Sequence, residues 1–309
     1  MSDLILHHYP LSPFSEKIRL ILGYKQLSWK SVETPPMLPK PDQLALTGGY
    51  RRAPVLQIGA DIYCDSSLIC DVLEQHQPSP AIHPEAGAGL ARVVAQWADS
   101  AMLWAAMGYN LGGKGFAALI AGMPPEVSQA FIQDRAAMGV TLPIPNEGDN
   151  ASTYRHHLRR LASMLEGSDF LLGSTPSLAD FSAYHPLWFT ATFVPPLAGI
   201  LDTAPALRPW MARVAALGHG TPETISAADA IALAAASTPA SVAGVPFVDD
   251  HGIALGERVT VAAESFGTEA TEGILVGASE DRYSLRRSDP RAGTVHVHFP
   301  RVGFVLRKA

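Results

Sequence analysis

Ser12-Pro13-Phe14-Ser15-Glu16-Lys17-Ile18-Arg19-Leu20 follows closely on the apolar run LILHHY at residues 4–9. Serine caps helices and proline suits the first helical position, so this spacing predicts a short strand turning directly into a helix. Phe14, Ile18, Ile21 and Leu22 recur at helical spacing and give the buried stripe, with Glu16, Lys17 and Arg19 elsewhere on the cylinder. A junction of this kind aims unpaired amides and the positive end of a helix dipole at Ser12. That is a favourable place for an anion such as a thiolate.

Outward from this junction, a second strand fits Ser28 to Glu33, followed by the proline-broken segment TPPMLPKP. Two short strands around Val55–Ile58 and Ile62–Cys64 read as a hairpin through Gly59-Ala60-Asp61. A helix from Ser66 to Gln75 turns Leu68, Ile69, Val72 and Leu73 inward. Residues 1–78 thus read as a β-α-β-…-β-β-α unit, closed by the linker Gln77-Pro78-Ser79-Pro80. Residues 85–217 are helical in pattern, broken near Gly112, Gly113, Gly115 and Gly122 and by an exposed loop, TLPIPNEGDN, at 141–150. The clearest helices are 154–165 and 178–192, the latter started by a Ser177 to Asp180 capping box with Pro176 and Phe181 as its staple. Residues 218–250 read as a linker with one short helix, 227–236. From Glu257 the pattern alternates, which predicts a small antiparallel barrel at 251–309, separable from the rest.

Composition narrows the function classes. With 47% hydrophobic and 17% charged residues the chain is apolar enough to fold as a soluble globular protein. A net charge of -6 supplies no general attraction to phosphate backbones, so nucleic acid is not an expected partner. No apolar run reaches membrane-spanning length, and MSDLILHHYP lacks the pattern of a signal peptide, so no membrane association and no export are expected. Two cysteines, Cys64 and Cys70, make no disulfide framework for a chain of 309 residues, and a reducing cytoplasm fits them.

The segment from Ser12 to Leu20 closely resembles the first-helix motif of cytosolic glutathione transferases, particularly omega-like and zeta-like members. Arg51-Arg52-Ala53-Pro54-Val55-Leu56 resembles that family's cis-proline segment, and Asp65-Ser66 its acidic-Ser pair, in matching order and spacing. The Ser177–Asp180 box and the helix around Trp210 to Val214 resemble its helical domain, so the likeness spans roughly residues 1–217. With the small β-barrel-like domain read from the alternation after Glu257 the chain is expected to be a multidomain α+β protein, and the resemblance implies a thioredoxin-like α/β domain and an all-helical domain for the rest. It also implies glutathione as co-substrate, a small hydrophobic electrophile and a homodimer.

On this resemblance Ser12 would donate its hydroxyl hydrogen to the glutathione sulfur. A free thiol has a pKa of about 8.5, and lowering it by one or two units suffices to make thiolate abundant at neutral pH. Serine there is also an ordinary helix cap. Omega-like relatives carry cysteine at the matching position; serine forms no mixed disulfide, which points to conjugation, isomerisation or elimination. The resemblance implies a cis Ala53-Pro54 bond, with Ala53 pairing the cysteinyl unit through its main chain. Asp65 suits the glutamyl ammonium, and Ser66 with the helix N-terminus its carboxylate. The same pair also reads as plain capping. Arg51 and Arg52 either reach the glycine carboxylate or stand in solvent.

Tyr9 is a rival hydroxyl and Ser15 a weaker one. Tyr9, Phe14, Trp104 and Tyr109 are the expected pocket walls between the domains. Cys64 and Cys70 read as small buried side chains without redox chemistry. His296 and His298 share a strand face but have no third ligand at a recognisable spacing, so no metal is expected. The competing reading of the whole chain is a glutathione-transferase-like binding or scaffolding protein whose β domain contacts a partner.

Overall fold

The computed structural model describes residues 3–84, 87–139 and 146–309. Strand β1 (Leu4–His8) is buried along its whole length, as a strand covered on both faces must be. It leads through the Ser12 turn into α1 (Pro13–Tyr24), and β2 (Ser28–Glu33) returns parallel to it. A short helix α2 (Pro41–Thr47) starts at a proline inside the proline-broken segment. The hairpin β3 (Val55–Ile58) and β4 (Asp61–Cys64) is added antiparallel on the other side of β1, before α3 (Ser66–His76). This is the expected thioredoxin-like order.

The helical layer consists of α4 (Ala88–Trp97), one π-helical turn (Ala98–Met102), α5 (Leu103–Asn110), α6 (Gly113–Ile120), α7 (Pro125–Ala137), α8 (Glu147–Met164), α9 (Leu178–Phe193), a 3-10 segment (Pro195–Thr203) and α10 (Leu207–Ala215). Of the expected 141–150 loop, residues 141–145 lie outside the described residues and Glu147 already begins α8. Residues 85 and 86, where the helical stretch was expected to begin, also lie outside them. The capping box at α9 is present. Asp180 Oδ2 accepts from the Ser177 amide at 2.9 Å and its hydroxyl at 3.0 Å, while Oδ1 accepts from the Leu171 amide at 2.8 Å and Trp210 Nε1 at 2.9 Å. A fully buried carboxylate needs such a complete set of donors, and here they tie α9 to α10.

Beyond α10 the structure departs from the sequence pattern. Residues 218–250 are more than a linker: β5 (Thr221–Thr224) pairs parallel with β2, and α11 (Ala227–Ala235) starts from a second capping box, Ser226 to Asp229. Gln57 Nε2 donates to the Ala230 carbonyl at 2.8 Å, which fastens α11 to the central sheet. The expected antiparallel strands are β6 (Arg258–Ala263), β7 (Thr271–Ala278), β8 (Arg282–Asp289), β9 (Gly293–Pro300) and β10 (Phe304–Lys308). They are the extra antiparallel strands that the alternation predicts, and they are joined to the N-terminal sheet. β9 pairs parallel with β4, so that among the described residues one sheet runs β10-β6-β7-β8-β9-β4-β3-β1-β2-β5.

The reason is an edge. β4 would otherwise present a row of unpaired backbone groups, and its neighbours would leave an apolar surface uncovered. Val55, Ile62 and Cys64 instead share one core with Leu285, Val297 and Phe299. Cutting the chain near residue 222 should therefore expose this surface and unpair β4, giving a protein that aggregates or melts at a much lower temperature. Circular dichroism melting with size-exclusion chromatography checks this, and an unchanged melting midpoint in a monodisperse truncated protein would contradict the shared core.

Candidate functional site

Ser12 stands where β1 ends and α1 begins, in extended backbone, and is only 2% exposed. Its Oγ accepts from the Ser15 amide at 3.2 Å, so it does cap the helix. The same oxygen lies 3.5 Å from the Ala53 carbonyl, to which it donates. Ala53 belongs to the cis Ala53-Pro54 peptide that the resemblance implied. The fold thus brings together two segments, the helix start and the turn into β3, that the sequence only suggested were related.

The Asp65 side chain caps α3 through a 2.9 Å bond from the Ser67 amide. Its φ of 77° is a conformation that residues other than glycine seldom adopt, at a cost of about 1–3 kcal/mol. Burial pushes the Asp65 carboxyl upward in pKa, against the Ser67 amide and the nearby charges of Arg52 and Lys17. Ser66 beside it is buried in the first turn. Arg52 donates through Nε to the Phe266 carbonyl at 2.5 Å, while its Nη2 is buried without a partner. A buried guanidinium nitrogen with no acceptor is a donor that a ligand carboxylate could pair.

Arg51 is not available in this way. Its guanidinium is bound by Asp134 and, at 2.8 Å, by Glu269. Lys40, which the sequence reading passed over inside its proline-broken segment, is the cation that takes a place here. Its Nζ donates to the Arg51 carbonyl at 2.9 Å and lies 5.5 Å from the Tyr9 ring centre. Burial lowers its pKa to about 8, helped by Arg135 and Arg51. Nothing in the local sequence marks it; only the folding of the segment before α2 onto the Arg51 carbonyl brings it in.

The expected pocket walls separate into two groups. Phe14 packs at a tilt against His185 with ring centres 4.9 Å apart, and Trp104 meets Phe266 edge-on at 5.2 Å. Tyr109 instead makes its contacts inside the helical layer, with the Leu197 carbonyl at 3.3 Å and the Tyr154 ring at 5.7 Å. It stands five residues beyond Trp104, which turns it to another side of α5. Phe266 is an unforeseen addition, on the β6–β7 connection. The next residue, Gly267, donates its amide to the Met138 carbonyl at 2.8 Å, so the C-terminal strands reach across both earlier units. Cys64 and Cys70 are buried free thiols, Cys70 pushed up to about 12 by burial, which leaves both inert near neutrality.

Beneath these groups lies a buried ion pair. Lys17 Nζ donates to Asp99 Oδ2 at 2.6 Å, and His185 Nε2 lies 2.9 Å from Asp99 Oδ1. It joins α1 to the π-helical turn and α9.

Family models match residues 6–81, described as glutathione S-transferase, N-terminal domain, and residues 148–213, described as glutathione S-transferase, C-terminal domain. The crystal structure of a GST-like protein from Pseudomonas syringae is 41% identical, with 100% of both chains covered and a TM-score of 0.82. The chain belongs to the glutathione S-transferase superfamily. FtsZ-localized protein A from Caulobacter vibrioides is 26% identical over 183 residues, 58% of this chain and 73% of that protein. A glutathione S-transferase from Rhodospirillum rubrum, at 23% identity and a TM-score of 0.52, shares the fold over 69% of this chain and 87% of its own. Neither family model extends beyond residue 213.

Burial opposes the charged form of both partners in the ion pair. Even so, Asp99 raises the Lys17 pKa, while Lys17 and His185 hold the Asp99 carboxyl below its ordinary value. Asp99→Ala should destabilise the protein by about 3–5 kcal/mol, because the Lys17 ammonium is left buried and unpaired. Lys17→Met combined with Asp99→Leu should recover most of that loss. The Asp99 contribution is present above the usual carboxylate pKa and is lost as pH falls through the lowered folded value. Urea titrations of the single and double variants across acidic pH check both the size and the sign.

Proposed function

We propose that this protein is a glutathione transferase-like enzyme in which Ser12 stabilises the thiolate of bound glutathione for attack on a small hydrophobic electrophile. The observation that carries this reading is the position of the Ser12 hydroxyl. It sits at the N-terminus of α1 with its proton on the Ala53 carbonyl at 3.5 Å, a weak bond that a sulfur anion would outcompete. Donor and helix dipole then act on the same charge, and no separate base is required. Serine in place of cysteine favours conjugation, isomerisation or elimination over disulfide exchange, and marks the chain as a departure from its omega-like relatives.

The remaining groups supply anchoring. The Ala53 main chain pairs with the cysteinyl unit, the free Arg52 Nη2 takes a carboxylate, Asp65 holds the ammonium, and Ser66 with the α3 amides receives the glutamyl carboxylate. Tyr9, Phe14 and Trp104 form the apolar side for the electrophile. Leu90 and Val93, 56% and 64% exposed on α4, form an apolar pair that a second copy of the chain would cover, in keeping with a homodimer. Among the described residues no helix is long and apolar enough to cross a membrane, and buried free cysteines suit a reducing cytoplasm.

A second reading, a non-catalytic binding or scaffolding role, is favoured by the likeness to a protein named for its localisation with FtsZ. Turnover separates the two. Ser12→Ala should lower the rate with an accepted electrophile by about 10²-fold with little change in glutathione affinity. The thiolate absorbance of bound glutathione, titrated against pH, should shift upward in that variant. An identical titration in both proteins would reduce Ser12 to a cap, and no turnover by the wild type with any of a panel of electrophiles would favour the scaffold.

Asp65→Asn keeps an acceptor for the Ser67 amide and tolerates the positive φ while removing the charge. Calorimetry should show glutathione binding at least about tenfold weaker, corresponding to the loss of a charge-assisted bond. Unchanged affinity would remove Asp65 from the site.

A further inference from the structure

The parallel pairing of β4 with β9 sets Asp61 opposite His296 and Tyr63 opposite His298. Alternation along a strand then puts Asp61, His296 and His298 on one face of the sheet. The two histidines were visible as a pair in the sequence. Their third partner is supplied by a strand more than two hundred residues earlier, which no spacing rule could connect.

We propose that Asp61, His296 and His298 bind a divalent transition-metal ion, zinc by the chemistry of the donor set, across the seam between the N-terminal strands and the C-terminal strands. His298 Nε2 lies 2.9 Å from Asp61 Oδ1, His296 Nδ1 lies 3.8 Å from the same oxygen, and the three ligand atoms all fall within 4.8 Å of one another. Ligands bonded to zinc at about 2.0–2.1 Å in a tetrahedral arrangement are separated by roughly 3.3 Å. The 2.9 Å and 3.8 Å separations differ from that by only about half an ångström or less. Two imidazoles with one carboxylate suit zinc or a neighbouring first-row ion far better than magnesium or calcium, which take oxygen donors.

The surrounding contacts hold the three groups for this purpose. Asp61 Oδ2 accepts from the Ala240 amide at 2.8 Å, which leaves Oδ1 for the site. Ser284 Oγ lies 2.8 Å from His298 Nδ1, and a hydroxyl can accept as readily as donate. The His298 proton can therefore rest on Nδ1, leaving the Nε2 lone pair for a metal with no change in net charge. His296 is hydrogen-bonded to the Ala240 main chain, yet its Nδ1 is buried without a partner. That unpaired nitrogen is what a hydrogen-bonded junction alone does not explain. The Tyr63 ring stacks on His298 at 4.6 Å and fixes the plane of the imidazole. Asp61 and His298 are buried and His296 nearly so, as in a structural site that holds elements together.

The test uses the full-length, untagged protein, stripped with a chelator and titrated with Zn²⁺ against a chromophoric competitor. One equivalent should bind, the melting temperature should rise on zinc addition, and Co²⁺ should give visible absorption bands of a low-coordinate nitrogen and oxygen site. His296→Ala removes the unpaired Nδ1 together with the bond to the Ala240 main chain, a contact near the surface, so the variant should stay folded by circular dichroism while binding zinc at least about 100-fold more weakly. Asp61→Asn keeps an acceptor for Ala240 and should lose binding in the same way. Absence of stoichiometric zinc binding by the wild type would overturn the proposal and leave the cluster as a hydrogen-bonded seam. Equal zinc affinity in wild type and His296→Ala would overturn it as well.

Discussion

Helix α1 lies between the sheet and the helical layer, and its charged residues are buried along with its apolar ones. Ile18, Ile21 and Leu22 form the stripe that periodicity demands, but Glu16, Lys17 and Arg19 have no solvated side to occupy. Charges withdrawn from water require partners, and α1 draws them from separate parts of the chain. Arg19 pairs with Glu16 at 2.7 Å, and Glu16 also meets His219 at 3.1 Å, beyond α10. Lys17 reaches Asp99 in the helical layer. At the far end Lys25 is held by Glu74 at 2.6 Å and by the carbonyls of Gln77 and Pro80. These pairs fix the helical layer, α3 and the segment after α10 relative to α1. They thereby fix the surroundings of Ser12, which sits at its N-terminus.

The C-terminal strands impose a second constraint on the same site. By pairing with β4 they extend the sheet, and the connection between β6 and β7 carries them back over the residues that precede Pro54. Glu269 occupies Arg51, and the Phe266 carbonyl orients Arg52 so that one nitrogen remains free. Phe266 also adds a ring beside Trp104. A region outside the two family models therefore shapes the candidate glutathione site, and the seam at Asp61, His296 and His298 is where that region is fastened to the earlier strands.

The sequence by itself determined the elements whose information is local. Alternation and helical periodicity located β1, α1, the β3–β4 hairpin, α3, α9 and the C-terminal strands, since burying one face of an element leaves its period in the residues. The capping box at Ser177 was legible for the same reason, being set by its immediate neighbours, whereas Ser12, Ala53, Pro54 and Asp65 stood out as candidates only through the family resemblance. Only the tertiary structure decided which edges meet and which charges are buried. Alternation in β9 marks an inward face and carries no record of the strand beside it, so the join to β4 and the grouping of Asp61 with two distant histidines were invisible. Lys17 was placed only off the apolar stripe and Arg51 was open between a carboxylate and solvent, whereas Asp99, Asp134 and Glu269 from far along the chain made their burial possible, because an ion's stability depends on the other charges around it.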